Sequence, residues 1–134
     1  MSNPPLIAIV DDDDAVREAL LDLLQVEGLS ARTFASGAAL LADEAANTFD
    51  CIITDVRMPE INGLELQQRL RARCWAMPMI FITSSVDEAT RARALLGGAA
   101  AWFTKPVADD ELLDALWAAL DQGNGALNHE LPGD

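Results

Sequence analysis

Asp11, Asp12, Asp55, Thr83 and Lys105 are the residues of this sequence whose types could act together on one group. Asp11 and Asp12 open the run VDDDDAV, which directly follows the apolar stretch Leu6 to Val10. Two unit charges about 4 Å apart repel by roughly 4 kcal/mol at an effective dielectric near 20, so carboxylates crowded at a strand end call for solvent or a cation. Three carboxylates form a hard oxygen site of the kind Mg2+ prefers, with positions left for water and a phosphoryl oxygen. An ammonium and a hydroxyl then supply donors for the remaining phosphoryl oxygens. Asp13 and Asp14 are expected to start a helix instead, as N-terminal charge and cap, with Asp14 the cap.

The five residues are scattered in sequence, so the elements must bring them together. Short apolar runs alternate with segments of helical period five times: residues 6–10, 30–34, 51–54, 79–83 and 100–104 read as strands. The third and fourth are almost uninterrupted in apolar character, as strands covered on both faces of a parallel sheet should be. Val16, Leu20, Leu23 and Leu24 repeat at helical spacing, as do Leu112, Leu113, Leu116, Trp117 and Leu120, and both sets are expected to face the core. Ser36 can cap the second helix; Asp87 with Glu88, and Asp109 to Glu111, place negative charge at the starts of the last two. Gly28 and the pair Gly97-Gly98 are expected to stop helices in left-handed backbone. The order (βα)5 predicts a doubly wound, five-stranded parallel sheet, whose ligands bind beyond the carboxyl ends of the strands. Asp11 and Asp12 would leave the first strand there, Asp55 the third, Thr83 the fourth and Lys105 the fifth.

Composition narrows the class. The chain has 134 residues, 51% hydrophobic, which suits a single domain with a sizeable core. Residues 1–5 read as an N-terminal extension, 6–121 as the domain, and the polar, Gly-rich 122–134 as a frayed end or linker stub. Nine basic residues against 22 acidic ones give a net charge of −13, and no basic stripe tracks a phosphate backbone, which argues against direct nucleic-acid binding. Cys51 and Cys74 lie far apart with no Cys-x-x-Cys, so neither a zinc site nor a disulfide framework is indicated. Without signal-peptide features at residues 1–5 or an apolar run of about 20 residues, a cytoplasmic setting with no membrane contact is expected.

The motifs "IVDDD", "IITDVRMPEINGLEL", "FITSS" and "AAAWFTKP", in this order and spacing, resemble the response-regulator receiver domain of two-component signalling across about residues 6 to 121. The segment "DVRMPEINGLE" is similar in particular to receivers that precede a DNA-binding output domain. The resemblance implies a flavodoxin-like α/β fold of CheY-like type, with Asp55 as the phosphoacceptor that becomes 4-aspartylphosphate. It implies Mg2+, or Mn2+, held by Asp12 and Asp55 through their side chains, by the backbone carbonyl of Arg57, and by Asp11 through water. Thr83 and Lys105 would hold the phosphoryl oxygens, and a cis peptide is implied before Pro106. Met58-Pro59 and Gly63 match the loop after the acceptor, with Gly63 expected to permit backbone that other residues resist. Arg57 and Ser85 occupy positions that tune phosphoryl hydrolysis in this family.

The implied donor is a phosphohistidine on a histidine kinase or phosphotransfer protein. The sole histidine, His129, falls in the polar tail and reads as a solvated residue rather than a donor site. Family behaviour further implies that phosphorylation draws Thr83 toward the phosphoryl group, turns inward an aromatic residue of the fifth strand, here Trp102 where Tyr or Phe is usual and core filling is the alternative role, and favours a form whose fourth helix, fifth strand and fifth helix make a homodimer or partner surface. Trp117 could join that surface, though its spacing favours the core. An output domain elsewhere in a longer protein would bind DNA.

Competing classes fit less well. A haloacid-dehalogenase-type phosphatase needs a second aspartate two residues after its nucleophile, and Arg57 stands there. A flavodoxin-like electron carrier needs a Ser, Thr and Gly-rich phosphate loop where Asp11 to Asp14 stand. A receiver-like docking module independent of phosphorylation would not need all five site residues. The expectation is a signalling module that takes part in its own phosphorylation, not a turnover enzyme.

Overall fold

A computed structural model describes residues 4–84 and 87–128, with the backbone alone for 122–128. Ser85 and His129 lie outside the described residues. The strands are β1 (Leu6–Val10), β2 (Ser30–Phe34), β3 (Cys51–Thr54), β4 (Met79–Thr83) and β5 (Ala101–Thr104). The helices are α1 (Asp14–Val26), α2 (Gly37–Leu41), α3 (Gly63–Ala72), α4 (Glu88–Leu96) and α5 (Asp109–Asn128), with a short 3-10 turn at Ala46–Thr48. All strands run parallel in the order β2-β1-β3-β4-β5. The expected doubly wound sheet is therefore present.

Alternation along each strand divides the core into two layers. Ile7 and Ile9 of β1, Ile53 of β3 and Ile80 and Ile82 of β4 pack with Leu24 of α1 and Leu112, Leu116 and Leu120 of α5. Ala8 and Val10, Ile52 and Phe81 face the other way, onto Leu40 of α2, Leu64, Leu66 and Leu70 of α3 and Ala94 of α4. β3 and β4 are buried at every position, as their unbroken apolar sequences require. Burying each large aliphatic side chain contributes about 1.5–3 kcal/mol, which is what holds helices this short against the sheet.

The caps show where local sequence decides. Ser36 Oγ accepts from the Ala39 amide, and Asn62 with Glu65 forms a reciprocal capping box at the start of α3. Asp87 caps α4 through the amides of Ala89 and Thr90, and its carboxyl titrates below the usual range chiefly because the Thr90 hydroxyl donates to it. At α1 the cap is Asp13, not Asp14: Asp13 accepts from the amides of Ala15 and Val16, while Asp14 sits inside the first turn. One step along the aspartate run settles the choice, because the cap must itself be extended, as Asp13 is.

Three further expectations need correction. Gly28 and Gly98 adopt positive φ, but Gly97 does not; a Cβ at Gly97 would lie 2.4 Å from Gln67 Oε1, so the glycine there gives room to the buried Gln67 amide where α4 packs on α3. Trp117 is exposed, because the buried stripe of α5 runs through Leu112, Leu116, Ala119 and Leu120 and leaves the indole at its margin. α5 continues through Asn128, past the expected end near Leu120, since extending a formed helix costs far less than nucleating one. Among the described residues, no helix is long and apolar enough to cross a membrane.

Candidate functional site

The strand order reverses direction between β1 and β3, and the crevice at such a switch point lies beyond the strands' carboxyl ends. Val10 and Thr54 are register partners, so the residues that follow them emerge side by side, and the Asp55 amide donates to the Val10 carbonyl at 3.1 Å. Asp11 and Asp55 are thereby brought together with Asp12, one carboxylate oxygen from each lying within 4.8 Å of the others. Thr83 and Thr104 pair at the ends of β4 and β5, and the Lys105 amide donates to the Thr83 carbonyl at 2.8 Å, which extends the ladder by one step and brings Lys105 to the same rim. The sheet gathers all five residues at one rim.

Asp55 is buried and tightly held. Its Oδ1 accepts from the amides of Val56 at 2.6 Å and Arg57 at 3.2 Å, while Oδ2 accepts from Lys105 Nζ at 3.0 Å. The adjoining loop folds back closely: the Gly63 amide donates to the Val56 carbonyl at 2.8 Å, and a Cβ at Gly63 would lie 2.4 Å from the Asp55 carbonyl oxygen. Gly63 is thus required by close approach to the Asp55 backbone; no positive φ is recorded for it, contrary to the unusual backbone expected.

Asp11 is buried too, its Oδ1 accepting from the Asp13 amide at 2.9 Å and its Oδ2 from Lys105 Nζ at 3.2 Å. Burial pushes the Asp11 carboxyl above the usual range, a rise that the Asp13 amide and Lys105 only partly offset. Burial pulls the Lys105 ammonium the other way, but hydrogen bonds from Nζ to Asp55 and Asp11 outweigh it and hold the ammonium above its ordinary value. One ammonium therefore bridges two buried carboxylates, while Asp12 stays exposed at the tip of the turn. Oxygen-only donors at this spacing suit a hard divalent cation such as Mg2+ or Mn2+ rather than zinc.

The remaining candidates lie at the periphery. Arg57 is exposed, next but one to Asp55, and the Lys105-Pro106 peptide is cis as expected. Trp102 is half-buried on β5, opposite Phe81 in register, with ring centroids 5.8 Å apart, and it flanks a hollow of about 210 Å3 bounded by Val56, Arg57, Leu64 and Arg93. One contributor escaped the sequence reading: Arg17, whose guanidinium reaches the Asp11 carbonyl oxygen at 2.6 Å and the Asp14 carboxylate. Its signal was present in the three-residue spacing of Asp14 and Arg17 on a helix.

A family model described as the response regulator receiver domain matches residues 7–117. The chain belongs to the response-regulator receiver family. This receiver is 43% identical to response regulator protein TodT of Pseudomonas putida over 115 residues, covering 86% of the chain and 51% of the relative. It is 41% identical to transcriptional regulatory protein FixJ of Azorhizobium caulinodans over 114 residues, covering 85% and 54%. The receiver thus spans about half the length of the curated relatives it matches. Among solved structures it resembles a CheY-like receiver domain protein from Methanospirillum hungatei JF-1, with a TM-score of 0.86 and 27% identity over 92% of this chain and 98% of that one.

Proposed function

We propose that this receiver accepts a phosphoryl group on Asp55 from a histidine kinase or phosphotransfer protein of a two-component system, in the cytoplasm, and that residues 6–121 make up the functional unit. The observation that carries the reading is the placement of the Asp55 carboxylate: two backbone amides fix Oδ1, Lys105 Nζ lies 3.0 Å from Oδ2, and two further carboxylates stand alongside. Oδ2 attacks phosphorus, the P–N bond to the donor histidine breaks as the new P–O bond forms, and the imidazole keeps the electron pair. Lys105, freed from Asp55, donates to a phosphoryl oxygen, and the Thr83 hydroxyl serves another. Asp12, Asp55 and the Arg57 carbonyl, with Asp11 through water, would hold a divalent cation, which would supply positive charge to offset that on the phosphoryl group. The fully buried Thr83 and the Phe81–Trp102 ring pair would carry the change outward. Leu95 and Leu96 of α4 and Trp117 of α5, all exposed, would offer apolar surface for a homodimer or partner. Any DNA-binding output would belong to a longer protein.

Incubation with a small phosphodonor and MgCl2, read by intact mass, tests the acceptor. One phosphoryl adduct is expected in the wild type and none in Asp55→Asn or in chelator. Absence of an adduct under every condition would favour a docking module independent of phosphorylation. Sedimentation with a stable phosphoryl mimic tests the surface, an unchanged sedimentation coefficient arguing against the dimer.

A further inference from the structure

Arg17 reaches back along the first turn of α1 to the loop that carries the aspartates. Its Nη1 donates to the Asp11 main-chain carbonyl at 2.6 Å, and Nη2 pairs with the Asp14 carboxylate. The Arg17 side chain is 17% exposed whereas Asp14 is 83% exposed, so the guanidinium is held inward while its partner faces solvent. An isolated pair of that kind contributes little to stability. The carbonyl contact is the informative one, because it belongs to the peptide that joins Asp11 to Asp12.

The rest of that loop is already tied. The Asp11 amide donates to the Phe34 carbonyl at 3.1 Å, and Asp11 Oδ1 accepts from the Asp13 amide at 2.9 Å, arching over Asp12. Asp12 therefore stands at the tip of a tight turn whose entry and exit are fixed. The peptide just before it is held at its carbonyl oxygen by Arg17.

We propose that Arg17 is a positioning residue for the acidic site: it fixes the Asp11–Asp12 peptide so that the Asp12 carboxylate converges with those of Asp11 and Asp55. The inference rests on reading that cluster as a divalent-cation site. Two effects of Arg17 oppose each other there. As a charge beside three carboxylates it repels an incoming cation, so its removal would tighten binding. As a fork that sets the ligand loop, its removal weakens binding, and partners that orient ligands are typically worth about 10–100-fold in metal affinity. The Asp14 carboxylate paired with the guanidinium offsets most of its field beyond the immediate contact, so positioning sets the sign.

Calorimetric titration with MgCl2 of the wild type, Arg17→Ala, Arg17→Lys and Arg73→Ala separates these effects, with thermal midpoints in EDTA confirming that each variant folds. Arg17→Ala is expected to weaken Mg2+ binding by roughly tenfold or more. Arg17→Lys is expected to weaken it as well, since a single ammonium lacks the planar fork that spans the carbonyl and Asp14. Should Arg17→Ala fail to fold, Arg17→Lys carries the test. Arg73→Ala, which removes the same charge from the far end of α3, is expected to bind like the wild type. Binding by Arg17→Ala as tight as the wild type or tighter, or by Arg17→Lys at wild-type strength, overturns the positioning role. A wild-type chain that binds no Mg2+ overturns the cation-site reading beneath it.

Discussion

Four consecutive aspartates acquire different roles from one-residue differences in position. Asp11 is buried against Lys105, Asp12 is exposed at the turn tip, Asp13 caps α1, and Asp14 faces Arg17. Burial raises the Asp11 pKa, so the folded chain keeps a proton at a pH where the unfolded chain has released it. Stability therefore falls as pH climbs from the unfolded value through the folded one, and Asp11 opposes folding at neutral pH. Asp11→Asn is accordingly expected to raise the thermal midpoint in EDTA at pH 7 and to lose that advantage near pH 3. A midpoint below the wild type at pH 7 would mean that the Lys105 ion pair outweighs the cost of burying the carboxylate. Asp13→Ala is expected to cost about 1 kcal/mol as a lost cap and still yield the phosphoryl adduct, whereas Asp12→Ala is expected to abolish the adduct. Equal loss of adduct in both, by intact mass, would contradict this division of roles.

Between elements, polar side chains set spacing as firmly as apolar ones. Gln67 of α3, buried, donates from Nε2 to the Ala94 carbonyl of α4 at 3.0 Å, and Arg71 donates to the carbonyls of Gly97, Trp75 and Met77. The methyl of Gly97→Ala would meet the Gln67 amide, which cannot swing aside without leaving a buried polar group unpaired. Gly97→Ala is therefore expected to cost about 1–3 kcal/mol by urea denaturation. The double variant with Gln67→Ala is expected to lose less than the sum of the two single losses, and strict additivity would show that the contact is not the cause. The same contact marks the limit of sequence reading. Strand runs, the Ser36 and Asp87 caps and the convergence of Asp11, Asp12, Asp55, Thr83 and Lys105 were legible, because period and strand order dictate them. Gly97 and Trp117 were not, because the first answers to a side chain 30 positions away and the second to which edge of a helical stripe meets the sheet. Arg17 lay between these cases: its pairing with Asp14 follows from helical spacing, but its hold on the Asp11 carbonyl depends on how the loop turns.

Across the molecule, a net charge of −13 and the acidic rim both make stability sensitive to cations, and they differ in which cation. Diffuse self-repulsion is screened by any salt over a Debye length of about 10 Å at 0.1 M ionic strength. A converging set of carboxylates instead binds a divalent ion to the folded state alone, because unfolding separates Asp11 and Asp12 from Asp55. Binding at a hundredfold excess over the dissociation constant stabilises by about 2.7 kcal/mol. In a domain of this size that corresponds to a rise of roughly 5–10 °C in midpoint. MgCl2 is therefore expected to raise the midpoint of the wild type well above NaCl at equal ionic strength. Asp12→Ala, which removes an exposed carboxylate and no core packing, is expected to respond alike to both salts. Equal shifts from the two salts in the wild type would assign the effect to net charge and leave the rim without a bound cation.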